Sequence, residues 1–232
     1  MTVRVMLVSP AMNAALREAR FDGDAPLDRA GERSARAAAG TVPRSGAVLT
    51  GPSERCLGTA AALGLAARAE PALTGWDLGR WSGRRLDEVG AAEPAAVAAW
   101  IGDPSAAPHG GESLRALVER VGGWLDGTGG GGGASAGDGT GAGDGTGGAD
   151  RRDAGDALDA RDGSVLAVAE PAVVRAAVVH ALALPVEAFW RLDVAPLVLT
   201  ELSGRSGRWN VRLGRPLAAP EGPQRPATPE GT

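Results

Sequence analysis

Apolar residues follow two rhythms along this chain. Runs at 3–8, 47–50, 165–169 and 197–202 are short and apolar, as strands buried on both faces are, and 209–213 alternates as a half-buried edge strand does. Stretches at 26–40, 52–67, 113–125 and 171–184 have helix length and are amphipathic or apolar throughout. Pro52 and Pro171 open two of them, where a first helical turn tolerates proline because its N–H would have no intrahelical partner. Strands alternating with helices predict an α/β fold, a three-layer α/β/α sandwich around a mostly parallel central sheet. In such sheets ligands bind beyond the carboxyl ends of the strands, where helix N-termini offer unpaired N–H groups. Residues 9–11, 50–55 and 169–172 each follow a strand, so they are expected to converge on one site.

One stretch breaks the pattern. Residues 127–163 are rich in Gly, Asp and Ala and carry AGDGTG twice in tandem, at 136–141 and 142–147. Such composition buries too little apolar surface to offset its ordering entropy, so a flexible insert is expected within a single domain spanning 1–217. The repeats lack the regular apolar position that a calcium-binding β-roll packs, and a phosphate loop would need a lysine that the chain does not have. The Pro/Gly-rich tail at 218–232 is expected to fray.

Composition narrows the setting. A chain of 232 residues, 44% hydrophobic, suffices for one sizeable core. No apolar run approaches the roughly 18–20 residues of a membrane span, and the N-terminus has no charged-then-apolar leader, so a cytoplasmic protein without a membrane partner is expected. Its single cysteine, Cys56, excludes an internal disulfide and fits a reducing compartment. A net charge of -4 leaves no basic footprint for nucleic acid.

Five segments, in order, resemble the histidine phosphatase (phosphoglycerate mutase-like) superfamily. The opening strand is followed by Arg20, Phe21, Asp24, Pro26, Leu27 and Gly31, which match the family's Gly-Arg-Phe, Asp-x-Pro-Leu and helix-opening Gly. TGPSERCLGTAAALGL is similar to the helix start that carries a phosphate-holding arginine, here Arg55. ALTGWDLGRWSGR resembles the Gly-x-Trp-x-Gly segment, with Gly75 where a glutamate is usual. AAPHGGESLRALVERV resembles Pro-Gly-Gly-Glu-Ser and puts Glu112 on the family's proton donor. VLAVAEPAVVRAAVVHALALP resembles the strand and helix of the second histidine.

In the family one histidine takes the phosphoryl group covalently, while two arginines and the other histidine hold its charge. The resemblance puts Pro10 and Glu170 at the two histidines and Ser9 at the first arginine. Proline has no nucleophilic atom, so the covalent step is lost. Arg55 facing Glu112 and Glu170 would make the site net negative, and at ~4 Å each unit charge matters by roughly 4 kcal/mol at an effective dielectric of 20. Phosphatase and mutase activities are therefore expected to be absent.

Two function classes remain. Glu112 and Glu170 as an acid–base pair would suit a cofactor-free and metal-free lyase, dehydratase, isomerase or cyclase acting on a small metabolite in specialised biosynthesis. Arg55, Ser9, His109, Trp76 and Trp81 are then the candidate substrate-binding residues. The alternative is an inert pseudophosphatase that binds a ligand or scaffolds a partner, with Glu170 paired to Arg55. An open apolar cleft with both carboxylates facing it unpaired would favour the enzyme, and a site with Glu170 clamped on Arg55 the binder. Cys56 and His180 are expected to be packing residues. The expected partner is a small molecule, and a homodimer stays open.

Overall fold

The computed structural model describes residues 2–21, 23–129 and 163–217. Strands β1 (Val3–Val8), β2 (Ala47–Thr50), β3 (Arg68–Ala69), β4 (Ser164–Val168), β5 (Val198–Arg205) and β6 (Arg208–Pro216) form one sheet in the order β3-β2-β4-β1-β5-β6. Strands β3, β2, β4 and β1 run parallel, and β5 is antiparallel to both β1 and β6. The sheet is thus mixed and mostly parallel, with β6 at an edge.

The two-residue period of the strands divides the core between two helical layers. Val5, Leu7, Val165 and Ala167 pack with Leu117, Val121 and Leu125 of α6 (Leu114–Gly129) and with Val173 and Ala177 of α7 (Pro171–Ala181). Met6, Val8, Leu166 and Val168 face the other way, against Ala35 and Ala38 of α2 (Arg29–Ala38) and Cys56 and Ala60 of α3 (Glu54–Ala62). This is the three-layer sandwich expected.

Boundaries differ where side chains cap the backbone. Helix α3 starts at Glu54 rather than at Pro52, because the Ser53 hydroxyl accepts from the Cys56 N–H at 3.2 Å and makes Ser53 the N-cap. Helix α6 runs on to Gly129, with the Thr128 hydroxyl donating to the Trp124 and Leu125 carbonyls, so residues 127–129 of the expected insert form its last turn. The rest of that insert, 130–162 with its repeats, and the tail at 218–232 lie outside the described residues. Among the described residues no helix is long and apolar enough to cross a membrane.

Three helices had no counterpart in the apolar pattern: α1 (Ala14–Arg17), α4 (Leu86–Ala92) and α5 (Pro94–Gly102). The last two frame an aromatic cluster. Trp100 meets Trp190 edge-on at 4.7 Å between centroids, Trp81 stacks on Phe21 at 5.6 Å, and Trp76 meets Phe189 at 5.4 Å. Both phenylalanines and four of the six tryptophans of the chain are spent here.

Candidate ligand-binding cleft

Beyond the carboxyl ends of β1, β2 and β4 lies a cleft of about 360 Å³. Met12, Leu16, Trp76, Leu78, Val194 and Pro196 make its walls apolar, and Arg55, Glu170 and Arg175 supply its charge. The segment after β1 is fixed by Asn13, whose Oδ1 accepts from the Leu16 N–H at 3.0 Å and whose Nδ2 donates to the Ala25 carbonyl at 2.9 Å. Gly31 of α2 lies so close to this segment that a Cβ there would stand 2.2 Å from the Met12 carbonyl oxygen.

Arg55 and Glu170 meet as expected from their places after β2 and β4. Both are 3% exposed. Glu170 pairs with the Arg55 Nη2, and its Oε1 accepts from the Arg55 Nε at 3.2 Å, from the Ser53 hydroxyl at 2.8 Å and, weakly, from the buried Cys56 thiol at 3.5 Å. Ser53 is the N-cap of α3 and Glu170 that of α7, so the carboxylate also lies where two helix dipoles are positive. A buried anion with these partners occupies the place where Arg55 could otherwise hold a ligand's charge.

Glu112 does not join it. Its carboxylate is held side-on by Arg120, through Nε to Oε1 and Nη2 to Oε2 at 2.8 Å each, and Arg120 also donates to the Ala72 carbonyl at 2.7 Å. The Glu112 backbone serves the walls instead: its carbonyl accepts from the Trp76 indole at 2.7 Å, and its N–H donates to the Asp77 carbonyl. The expected face-to-face carboxylates therefore do not form, because each is neutralised by a different arginine.

Three other candidates also lie off the cleft. Ser9 is fully buried, with its hydroxyl donating to the Ala195 carbonyl at 2.5 Å and accepting from the Val198 N–H at 3.1 Å, which fastens the end of β1 to the start of β5. Trp81 is fully buried in the aromatic cluster, so only Trp76 of the two expected indoles reaches the cleft. His109 is 1% exposed and ringed by Trp81, Trp76 and Trp100. Gly79, at φ +47, seats it: a Cβ there would stand 2.4 Å from the His109 carbonyl oxygen. The His109 Nδ1 accepts from the Gly111 N–H at 3.1 Å, which assigns the proton of the neutral ring to Nε2. Burial holds the imidazole below its ordinary pKa, with Arg80 adding to the effect and Asp77 opposing it. The other histidine, His180, bridges to Asp126 at 3.0 Å, and Asp126 accepts in turn from the Trp209 indole, joining α6, α7 and β6.

Two arginines were missed as functional. Arg120 follows Glu112 by eight positions on the succeeding helix. Arg175 stands one turn into α7 and lines the cleft, where Glu112 was expected. With Arg55 and Glu170 cancelling, the lining carries one net positive charge rather than the expected negative one.

Residues 11–130 match the histidine phosphatase superfamily, branch 1. The chain belongs to that superfamily. Over 127 residues, 51% of its length, it is 31% identical to a protein of Mycobacterium tuberculosis strain H37Rv described as bifunctional, and equally to an uncharacterized protein of Mycobacterium bovis. The match covers 35% of each, so the chain corresponds to about a third of these relatives. Among solved structures it is similar to mycobacterial glucosyl-3-phosphoglycerate phosphatase, at 24% identity and a TM-score of 0.67, covering 93% of this chain and 100% of that one. It is likewise similar to the alpha-ribazole phosphatase of Shigella flexneri, at 18% identity and a TM-score of 0.69, covering 93% and 97%. The fold is thus shared over most of the length of the chain.

Proposed function

We propose that this superfamily member transfers no phosphate and instead binds a small, non-phosphorylated molecule in the cleft. The observation that carries this reading is the placement of the histidines: the chain has two, and both lie away from the cleft, one caged by tryptophans and one paired with Asp126. A covalent phosphohistidine at the cleft then has no residue to form on. Pro10 and Glu170, directly after β1 and β4, occupy the positions that the resemblance gives to the family's two histidines.

The state of Arg55 supports the same reading. Its guanidinium is engaged by a buried carboxylate of the chain itself, so an incoming phosphate dianion would have to displace Glu170 or lie against it. The phosphatase activities named for the similar structures belong to those proteins. Acid–base catalysis by Glu112 and Glu170 loses support with their separate pairing, which leaves a binding role as the leading account. The decisive assay is hydrolysis of p-nitrophenyl phosphate by the full chain and by Arg55→Gln. Turnover of the wild type at the no-enzyme background is expected. Turnover above it that Arg55→Gln abolishes would refute the reading.

A further inference from the structure

Once Arg55 and Glu170 are taken as a neutral pair, Arg175 is the charge that a ligand in the cleft would meet. Its side chain is half-buried on α7, and its Nε is buried without a hydrogen-bond partner among the described residues. One face rests on the Phe189 ring, with Cζ 5.6 Å from the centroid. The nearest acid is Asp193, 3.9 Å from Nη2, and that carboxylate is 98% exposed. An ion pair at this distance to a solvated partner contributes little and leaves the charge of the guanidinium weakly compensated. Burial lowers the Arg175 pKa from its usual value, the mark of a cation incompletely compensated by its surroundings.

The rest of the cleft sets what the anion must be attached to. Its walls are apolar, with the Trp76 ring among them, and its volume of about 360 Å³ falls at the lower end of small-molecule sites. Glu170 borders the same space. With Arg55 and Glu170 cancelling, the one remaining cation favours a monoanion, because the second charge of a phosphate monoester would have no counter-charge of its own in the lining. With Nε buried, the Nη end of the guanidinium is the planar edge left to pair with a carboxylate through charge-assisted hydrogen bonds.

We infer that the cleft binds a small hydrophobic monocarboxylate, with the carboxylate on Arg175 and the apolar body against Trp76, Leu16 and Val194. This rests on the cleft being a ligand site rather than a phosphate-transfer site. Arg175 then acts as a specificity-determining residue.

The test titrates the full chain with phenylacetate, its neutral counterpart phenylacetamide, and phenyl phosphate, followed by tryptophan fluorescence and by saturation-transfer NMR of the ligands. Wild type, Arg175→Gln and Arg175→Lys are compared, with thermal unfolding to establish that each is folded. Phenylacetate is expected to bind wild type at least about tenfold more tightly than phenylacetamide, the scale of one charge-assisted hydrogen bond. Arg175→Gln should erase that margin, and Arg175→Lys, which keeps the charge but not the planar edge, should retain part of it. No binding of phenylacetate at millimolar concentrations, no preference over phenylacetamide, or a preference that survives Arg175→Gln would each overturn the inference. If phenylacetamide binds and only the carboxylate margin is missing, the Arg175 assignment falls and the cleft stands as a ligand site. If phenyl phosphate binds most tightly and is hydrolysed, the proposed function falls with it.

Discussion

Replacing Glu170 by Gln removes one charge from the most deeply buried ion pair among the described residues and keeps the shape of the side chain. Arg55 would then hold its positive charge at 3% exposure without the carboxylate that Oε1 and Oε2 now supply. Breaking a buried pair from one side costs about 3–5 kcal/mol, because the remaining charge is stranded rather than solvated. A Coulomb estimate at about 4 Å and an effective dielectric of 20 gives about 4 kcal/mol, so the two routes agree. For a domain of this size each kcal/mol moves Tm by roughly 2–4 °C, so Glu170→Gln should melt about 6–20 °C below wild type. The double variant Glu170→Gln/Arg55→Met separates pairing from packing: with both charges gone it should recover most of the loss, since a buried pair replaced as a unit is often nearly neutral. Urea and thermal unfolding of the four proteins in the cycle measure the coupling. A Glu170→Gln variant within 1 kcal/mol of wild type, on the scale of an exposed pair, would refute this account of the cleft floor.

Three other outcomes follow from the residues that lie off the cleft. Glu112→Gln should lose about 1–3 kcal/mol of stability by weakening the side-on Arg120 contact, and should leave ligand affinity in the cleft unchanged, as read by unfolding and titration in parallel. Ser9→Ala should cost about 1–3 kcal/mol, because the buried Val198 N–H loses its acceptor, again without an effect on binding. The folded-state pKa of His109 is lowered, so the unfolded chain takes up its proton first as the solution is acidified. Its contribution is complete above the unfolded pKa of about 6.5 and is lost as pH falls from there toward the folded value, by up to about 1.4 kcal/mol per pH unit. Stability measured between pH 7 and pH 5 should show that slope in wild type and lose it in His109→Gln.

The parts of the fold that could be read in advance were those in which one element repeats a single pattern. Strands β1 and β2 emerged with their observed limits, because their apolar runs stop where the chain leaves the sheet. Helix α5 did not emerge, since Pro-Ala-Ala-Val-Ala-Ala offers almost no polar contrast between its faces, and the two-residue β3 is too short to carry any period. In the cleft, Arg55 and Glu170 were legible from their positions after strands. The partners that decide the chemistry were not. Glu112 is neutralised by an arginine on the next helix, Ser9 by backbone almost the whole chain away, and His109 by indoles gathered from 76 to 100; each of these contacts exists only once the layers are packed. Arg175 was present in the segment that resembles the family's second histidine region, and its importance emerges only from its place in the cleft lining with no close counter-charge but the exposed Asp193.

The claim on which all of this depends is that the chain's own carboxylate has replaced phosphate as the partner of Arg55. The measurement that tests it most directly is isothermal titration of inorganic phosphate into wild type and into Glu170→Gln at neutral pH, with Arg55→Gln as the reference. No binding heat for wild type and saturable, Arg55-dependent binding for Glu170→Gln is the expected result. Stoichiometric phosphate binding by wild type that disappears in Arg55→Gln would contradict the account.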